Sequence, residues 1–347
     1  MKAARIFGPH DIRYVEIETP SYGEADVLVR VKRCGVCGTD IAIYSGDMPY
    51  LRSGATTYPI TPGHEWSGVI EAVGRNVTQL RVGDRVTGDV SLGCGQCAPC
   101  LQGDFNLCVA RQEVGSFHNK DGAYAEYIAM PARQTYKLPE GASFDAGAMT
   151  EPTATVVYTV ERVGIKFGDV VVVQGTGSIA ILAAQVAQAS GASCVIVTGR
   201  NDHKLALARE VGIDVTVNIQ REDVEQRVHD LTDGRGADVV IEASGVGSEI
   251  RRSSRLARLG GRIGVVGIYE APLESFDMSD IVLNDQTIHG TLASPRVFPG
   301  TLRMMAAGRI RCEPLITHRF KLSEAEDAFR AMIEENPTRI KIMLEID

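Results

Sequence analysis

Residues Asp169 to Arg200, DVVVVQGTGSIAILAAQVAQASGASCVIVTGR, decide the fold of the central part of the chain. The stretch begins with a β-branched run, Val170 to Val173, which is typical of a parallel strand buried on both faces. A glycine turn follows, then apolar residues recur at helical spacing from Ile179 to Ser190, and a second apolar run covers Cys194 to Val197. A glycine turn in this order of strand, helix and strand predicts a dinucleotide site.

The turn itself supplies the expected ligand-binding groups. Gly175 permits a tight turn, Gly177 lets the backbone approach a pyrophosphate, and the small Ala180 lets helix and strand pack closely. The N–H groups at the start of the helix are free to bind the anion. We therefore predict that Gly175, Gly177 and Ser178 contact the cofactor, whereas a glycine-rich loop without a ligand is the alternative.

Chain length, net charge and the length of apolar runs limit the number of domains, the partners and the location. A chain of 347 residues exceeds the size at which single cores stop growing, so two domains are expected. The net charge of −8 argues against nucleic acid or an anionic membrane as partner, and a small-molecule substrate is expected instead. No apolar run approaches the ~20 residues of a membrane span. The first residues lack the apolar core of a signal peptide, so a cytoplasmic location is expected.

The first part of the chain has short alternating runs broken by turns, which predicts a β-rich domain. Within it lies GCGQCAPCLQGDFNLC, where Cys94, Cys97, Cys100 and Cys108 are close enough in sequence to form a closed tetrahedral zinc site. An iron–sulfur cluster is the weaker alternative, because the last spacing is long and no proline follows Cys108.

A second, dispersed set has the composition of a catalytic zinc site. Such a site needs about three protein ligands and one open position, which Cys37, His64 and either Glu65 or Glu151 would supply. Cys34 and Cys37 could instead form a redox pair, although no thioredoxin-like pattern surrounds them.

These stretches, CGVCGTD, PGHEWSGVIEAVG, GDRV, GCGQCAPCLQGDFNLC, GAYAEY and VVVQGTGSIA, resemble the zinc-dependent medium-chain dehydrogenases. Within that family the chain is similar to the polyol (sorbitol-like) and threonine dehydrogenases. The resemblance implies an α/β protein with a GroES-like β-rich catalytic domain, formed by residues 1–153 with 292–347, and an inserted Rossmann domain with a doubly wound parallel sheet at 154–291. It also implies a homo-oligomer, either a dimer or a tetramer.

The same resemblance assigns roles to individual residues. Cys37, His64 and Glu65 would bind the catalytic zinc, and Glu151 occupies the position where polyol dehydrogenases have a glutamate near the metal. Asp40 would hydrogen-bond the ring of His64, and Thr39 would contact the substrate oxygen. Threonine dehydrogenases carry a histidine five residues after the catalytic cysteine, where this chain has Ala42.

The rest of the inserted region continues the alternation of helices and strands. Ser244 follows the predicted strand 238–242 at the carboxyl edge, where such sheets bind ligands. Gly267 lies in a further predicted strand, 262–268, and Thr155 and Ile179 fall where family members pack against the nicotinamide. We expect these four residues to contact the cofactor.

The end of the second strand favours NADP over NAD. NAD enzymes commonly place a carboxylate there to accept hydrogen bonds from the ribose hydroxyls, and Gly199 offers none. Arg200 follows with a planar fork suited to phosphate, and Lys204 could add a second cation. Use of NAD with Arg200 as an ordinary surface residue is the alternative.

Together these features predict a zinc-dependent oxidoreductase. It would transfer a hydride between a secondary alcohol, of polyol, cyclitol or sugar-alcohol type, and a nicotinamide cofactor. An L-threonine 3-dehydrogenase is the first alternative. A zinc-free quinone-reductase-like enzyme, a structural relative and a redox-sensing binding protein are weaker alternatives. Cys194 and Cys312 have no assigned partner, and Cys194 is most simply a buried apolar side chain.

Overall fold

The computed structural model describes residues 1–269, 273 and 275–347. The chain forms two compact units. Unit 1 comprises Met1–Ala154, Ala293–Ala306 and Ile316–Asp347, and unit 2 comprises Thr155–Leu292 and Ala307–Leu315. Among the described residues, no helix is both long and apolar enough to cross a bilayer.

The strands, in chain order, are β1 Lys2–Gly8, β2 Asp11–Glu16, β3 Asp26–Val36, β4 Glu65–Val73, β5 Arg85–Gly88, β6 Ser91–Leu92, β7 Gln112–Glu113, β8 Tyr127–Pro131, β9 Thr135–Lys137, β10 Val170–Gln174, β11 Cys194–Gly199, β12 Val215–Asn218, β13 Ala237–Glu242, β14 Ala257–Val265, β15 Thr287–Gly290, β16 Ile316–Lys321 and β17 Lys341–Glu345.

The helices are α1 Gly38–Ser45, α2 Pro49–Arg52, α3 Ala98–Leu101, α4 Phe144–Ala148, α5 Thr150–Val163, α6 Ser178–Ala189, α7 Asp202–Glu210, α8 Val224–Asp230, α9 Gly247–Leu256, α10 Met278–Leu283, α11 Phe298–Ala306 and α12 Ala325–Ile333. Short 3₁₀ helices cover Phe105–Leu107, Ala132–Gln134, Glu313–Leu315 and Leu322–Glu324.

Unit 1 is organised around β3, the longest strand of its main sheet. The order is β16-β17-β3-β4-β5-β9, with β8 also paired to β3. Alternate residues of β3, Val27, Val29 and Val31, are fully buried in the core of this unit. The C-terminal strand β17 pairs antiparallel with β3, so residues from the two ends of the chain lie side by side where β3 ends.

Unit 2 contains a six-stranded sheet in the order β12-β11-β10-β13-β14-β15, and every neighbouring pair is parallel. Counted along the chain this order is 3-2-1-4-5-6, that of a dinucleotide-binding sheet, whose ligand crevice lies where the order reverses at β10 and β13. The apolar run predicted that β10 is buried on both faces. Val171, Val172 and Val173 are fully buried, in agreement with this prediction. The predicted fold, a GroES-like β-rich domain with an inserted Rossmann domain, is confirmed.

Two boundaries differ from the sequence predictions. Residues Ala307–Leu315 belong to unit 2 and not, as predicted for the whole of 292–347, to the β-rich domain. In unit 2, Arg311 donates its backbone N–H to Gln185 at 2.7 Å and its guanidinium to the Glu210 carbonyl at 2.7 Å. Strand β14 ends at Val265, before Gly267, because the N–H groups of residues 266 and 267 both donate to the Glu242 carbonyl and bend the chain out of the ladder.

Candidate functional site

The end of β3 presents Cys37, the residue that begins α1. Cys37 is the N-cap of this helix, with extended backbone dihedral angles. The carboxylate of Asp40, one turn into the helix, accepts the Cys37 backbone N–H at 2.9 Å and so closes the helix start. This contact fixes the backbone from which the Cys37 thiol projects.

His64 immediately precedes β4, and Glu65 is the first residue of this strand, which pairs with the same end of β3. The preceding Gly63 has φ +97°, a left-handed conformation that favours glycine, and an added Cβ would lie 2.3 Å from the Tyr124 ring. His64 and Glu65 are 6% and 1% exposed, respectively. Glu65 lies opposite Gly35, whose missing side chain leaves room for the carboxylate.

Glu65 is held by a residue that the sequence did not single out. Lys341, the first residue of β17, donates from Nζ to both carboxylate oxygens of Glu65, at 2.7 and 2.6 Å, and to the Val36 carbonyl at 3.2 Å. The Lys341 and Glu65 side chains are 4% and 1% exposed, so this ion pair is shielded from water. The only signal in the sequence is an isolated cation in the apolar segment IKIMLEI, about 300 residues after β3.

The side chains of Cys37, His64 and Glu65 each offer a ligand atom, and these atoms lie within 4.8 Å of one another. Burial alone would lower the pKa of His64. The Cys37 thiol and the carboxylates of Asp40 and Glu151 outweigh burial and raise this pKa well above its usual range. Thiolate, imidazole and carboxylate are the donors that zinc prefers, and the surplus negative charge suits a divalent cation. The residues therefore fit a catalytic zinc.

Glu151 is placed differently from the three residues of this cluster. It is buried in the first turn of α5, and it acts electrostatically on both His64 and Lys341. Its carboxylate does not join the group whose ligand atoms lie within 4.8 Å. The structure thus brings Glu65 to the cluster and leaves Glu151 beside it.

Asp40 is fully buried and positions the backbone around the cluster by accepting hydrogen bonds. Besides Cys37, it accepts the Gly63 N–H at 3.2 Å and the Tyr124 hydroxyl at 2.8 Å. Its distance to Nδ1 of His64 is 3.7 Å, an electrostatic contact rather than the expected hydrogen bond. Tyr124, within the motif GAYAEY, is a site residue that the sequence analysis did not identify.

Thr39 and Ala42 lie on α1 beyond the cluster. Thr39 follows Gly38 in the first turn and is partly exposed. Ala42 packs against the apolar core of unit 1. The methyl group of Ala42 cannot accept or donate a proton. The hydroxyl of Thr39 is therefore the side-chain group that can pass a proton at this end of α1.

The redox alternative has little chemical support. Cys34 is fully buried, and burial raises the pKa of its thiol well above the usual range. Exchange chemistry requires a thiolate that is accessible to its partner. Each of the eight cysteines is a free thiol.

The four loop cysteines form a second cluster in unit 1, and their ligand atoms also lie within 4.8 Å of one another. Cys94 follows β6, Cys97 begins α3, Cys100 lies within α3, and Cys108 follows a 3₁₀ helix. Backbone N–H groups of Gln96 and Cys97 lower the pKa of Cys94 to about 6, whereas burial raises that of Cys100 to about 12. Four thiols at this separation fit a closed structural zinc site.

The glycine turn of unit 2 has the geometry that a dinucleotide needs. Gly175 has φ +118°, and a Cβ there would lie 3.4 Å from the backbone of Ala243 and Ser244, at the end of the neighbouring strand β13. Gly177 is the N-cap of α6, and a Cβ there would meet nothing within 4 Å. The space beside Gly177 is therefore open at the start of the helix, where N–H groups can bind a phosphate. Ser178 is buried and Ile179 partly buried at the helix start.

Ser244 and Gly267 meet at a buried carboxylate that the sequence analysis missed. Glu242, the last residue of β13, accepts N–H groups from Ser244 at 2.7 Å and Gly245 at 3.1 Å, and the Tyr269 hydroxyl at 2.6 Å. A Cβ at Gly267 would lie 2.6 Å from the Gly245 nitrogen. Glu242 thus fixes both loops at the carboxyl edge of the sheet. Thr155 lies in α5.

The end of β11 carries no carboxylate, as predicted. Gly199 is its last residue, and the exposed Arg200 follows. The nearest acid, Asp202, pairs with Arg221 at 2.6 Å and accepts the Asn218 amide at 2.6 Å. Asn201 caps α7 through a hydrogen bond from the backbone N–H of Lys204 at 3.1 Å.

Comparisons with known proteins agree with this arrangement. A family model described as an alcohol dehydrogenase GroES-like domain matches residues 23–140, and one described as a zinc-binding dehydrogenase matches residues 178–307. The chain is 36% identical to a sorbitol dehydrogenase of Halalkalibacterium halodurans, covering 94% of this chain and 93% of that protein. It is also 36% identical to an L-threonine 3-dehydrogenase of Bacillus licheniformis, covering 91% and 90%.

A similar solved structure is that of a zinc-binding dehydrogenase from Sinorhizobium meliloti 1021 bound to NADP. It has a TM-score of 0.91 and 32% identity, covering 99% of this chain and 98% of that one. An alcohol dehydrogenase from Escherichia coli CFT073 complexed with NADH has a TM-score of 0.90 and 30% identity, covering 99% of each chain. With two family models matched in order and relatives of 36% identity over nearly the whole length, the chain belongs to the zinc-dependent medium-chain dehydrogenase family, in the branch of the polyol and threonine dehydrogenases.

Proposed function

We propose that this enzyme interconverts a secondary alcohol and its ketone, with zinc and NADP as cofactors, on a substrate of polyol, cyclitol or sugar-alcohol type. The observation that carries the proposal is the cluster of Cys37, His64 and Glu65, whose ligand atoms lie within 4.8 Å of one another. Membership of a dehydrogenase family and a 36% identical sorbitol dehydrogenase support the reaction and the substrate class.

In this proposal Cys37 and His64 hold the catalytic zinc, and Glu65 or Glu151 completes its protein ligands. When bound, zinc supplies a Lewis acid that lowers the pKa of the substrate hydroxyl, and NADP supplies the hydride acceptor. Both oxygens of Glu65 are within 2.7 Å of Lys341 Nζ, so a metal bound to Glu65 would share the negative charge of this carboxylate with Lys341. Glu151 is the alternative ligand, since its charge acts on His64.

The remaining residues of the cluster orient the ligands and move the proton. Asp40 holds the backbone of Cys37 and of Gly63, and its negative charge lies 3.7 Å from the His64 ring. Thr39 accepts the proton from the substrate hydroxyl and passes it to the cofactor ribose and water, because Ala42 offers no titratable group. Cys94, Cys97, Cys100 and Cys108 hold a structural zinc that fixes their loop.

The cofactor contacts are assigned on the same basis. Gly175, Gly177 and Ser178 bind the pyrophosphate. Thr155, Ile179, Ser244 and Gly267 line the remainder of the bound cofactor. Arg200, aided by Lys204, binds the 2′-phosphate of NADP. Two facts support NADP over NAD: no carboxylate stands at position 199, and Asp202 is already paired with Arg221.

The cofactor preference has a direct test. We expect kcat/KM to favour NADP by at least about tenfold, equivalent to about 1.4 kcal/mol, which is modest for one charge-assisted phosphate contact. Arg200→Ala should remove most of this ratio by weakening NADP alone. Equal efficiency with both cofactors, or a preference that survives in Arg200→Ala, would overturn the assignment of NADP.

The substrate class is tested by a panel of polyols, inositols, sugar phosphates and L-threonine, each with NADP and NAD, followed at the cofactor absorbance. We expect turnover with a polyol or cyclitol and little with L-threonine. Turnover confined to L-threonine would replace the polyol assignment with the L-threonine 3-dehydrogenase alternative. Turnover of none of these, with quinones reduced instead, would contradict the proposed reaction.

On the family resemblance we also propose a cytoplasmic location and a homo-oligomeric assembly, either a dimer or a tetramer. Light scattering of the purified protein measures the assembly, and a monomer would contradict this part of the proposal.

A further inference from the structure

Position 199 requires glycine because the space around it is too small for a side chain, and not because of its backbone conformation. Gly199 is not among the glycines with positive φ. A Cβ at this position would lie 2.4 Å from Cγ2 of Thr176, 3.2 Å from its Oγ1 and 3.4 Å from its Cβ. Real Cβ atoms are not found at the first of these distances, so any side chain at position 199 must displace Thr176 or the strand.

Neither partner can move away easily. The Gly199 carbonyl accepts the Ile219 N–H at 3.0 Å, and the Thr198 carbonyl accepts the Gly175 N–H at 2.9 Å, which ties the end of β11 to the glycine turn. Thr176 stands between Gly175, with φ +118°, and the N-cap Gly177. As a β-branched residue it has few χ1 rotamers with which to withdraw its methyl group.

The adjacent glycine of the turn behaves in the opposite way. A Cβ at Gly177 would meet nothing within 4 Å, because its space is open to a ligand. Positions 177 and 199 therefore require glycine for different reasons. Gly177 leaves room for a cofactor, whereas Gly199 leaves room for a side chain of the protein itself.

We propose that Thr176 is a specificity-determining residue, which excludes a ribose-binding carboxylate from position 199. The carboxylate that binds the ribose hydroxyls of NAD is attached at the end of the second strand. Its Cβ would need the volume that the Thr176 methyl group fills. Discrimination against NAD is thus built into a pair of residues, one in the glycine turn and one at the end of β11. This inference rests on the proposed NADP-dependent function.

The pair predicts that Gly199→Asp alone does not create an NAD enzyme. The new side chain clashes with Thr176, and the displaced turn should weaken the binding of both cofactors. In Thr176→Ala/Gly199→Asp both crowding atoms are gone, and the closest neighbour of the Cβ at position 199 is then the Cβ of residue 176, at an ordinary 3.4 Å. The double variant should therefore accept NAD.

A double-mutant cycle on the cofactor-free protein tests the steric pair independently of catalysis. We expect Gly199→Ala to lower Tm by at least about 3 °C, and Thr176→Ala/Gly199→Ala to recover most of that loss. Gly177→Ala is the matched control, since it should keep the native Tm while losing cofactor affinity. Strictly additive shifts in Tm, or a Gly199→Ala protein with the native Tm, would overturn the inference.

The ratio of kcat/KM for NAD to that for NADP then tests whether Thr176 controls the cofactor preference. We expect kcat/KM for NAD to be at least about tenfold higher in Thr176→Ala/Gly199→Asp than in Gly199→Asp, with NAD preferred only in the double variant. A Gly199→Asp protein that prefers NAD without help from position 176 would overturn the role of Thr176. If the unmodified enzyme shows no NADP preference, the proposed cofactor fails, and the cycle in Tm still decides whether the two residues form a steric pair.

Discussion

Replacing Lys341 with methionine removes one partner of the buried ion pair behind the candidate zinc cluster. The Lys341 and Glu65 side chains are 4% and 1% exposed, and Nζ is 2.6 Å from the nearer carboxylate oxygen. Methionine keeps much of the apolar stem but leaves the Glu65 carboxylate buried without its counter-charge. Loss of one partner from such a pair costs about 3–5 kcal/mol of unfolding free energy. We expect a loss of this size in the zinc-free protein.

Zinc should reduce this loss. If a bound cation can take the place of the lysine beside Glu65, the zinc-loaded variant loses less stability than the zinc-free variant. By linkage, Lys341→Met should then bind catalytic zinc more tightly than the unmodified protein, by about tenfold for each 1.4 kcal/mol of difference. A smaller loss of stability in the zinc-loaded variant must therefore be accompanied by tighter zinc binding.

The assay uses a built-in reporter. The chain has a single tryptophan, Trp66, which is fully buried and adjacent to Glu65 in unit 1. Its fluorescence during urea denaturation therefore follows the unit that contains the ion pair. Lys321→Met, at an exposed position, is the matched control and should change stability by less than about 0.5 kcal/mol.

Two results would refute this reasoning. A loss below about 1 kcal/mol in the zinc-free protein would mean that Lys341 does not neutralise a buried Glu65. An equal loss with and without zinc would mean that the metal and Lys341 do not compete for that carboxylate.

Three further predictions concern separate parts of unit 1. Cys100→Ser should lose the loop zinc and melt at a lower temperature, and unchanged calorimetric stability would contradict a structural role. Thr39→Val should cut turnover by about 10²-fold or more at near-normal cofactor binding, since proton transfer loses its positioned hydroxyl, and nearly full turnover would place the relay elsewhere. Burial raises the pKa of Asp89 from 3.8 to about 8, so its contribution to stability is present at acid pH and is lost as pH rises through that window. Asp89→Asn should therefore gain stability relative to the unmodified protein between pH 5 and pH 8.5 in urea denaturation, whereas a constant difference would contradict a buried Asp89.

Local pattern predicted the features that depend on neighbouring residues. The β-branched run and the glycine turn predicted β10, α6 and β11, because strand burial and helix initiation are set within about 30 residues. The spacing of the four loop cysteines predicted their cluster for the same reason, since a short loop brings its thiols together in most conformations. The resemblance to a family predicted that Cys37, His64 and Glu65 would lie together as ligands of one metal.

Contacts between distant segments could not be read from pattern. Lys341 reaches Glu65 only because β17 pairs with β3, and no periodicity encodes that pairing. Tyr124 and Glu242 are hydrogen-bonding centres whose roles depend on which backbone N–H and hydroxyl groups the fold brings to them. The absence of a side chain at Gly199 was visible in the sequence, but its steric reason in Thr176 required coordinates.

The central claim is that Cys37 helps to bind the zinc that makes the reaction possible, and zinc content measured beside turnover tests it most directly. The unmodified protein should hold about two zinc ions per chain. Cys37→Ser should hold about one, bind NADP with near-normal affinity in a fluorescence titration, and lose turnover with every alcohol that the unmodified enzyme oxidises. A Cys37→Ser protein that keeps about two zinc ions and most of its turnover would contradict the account.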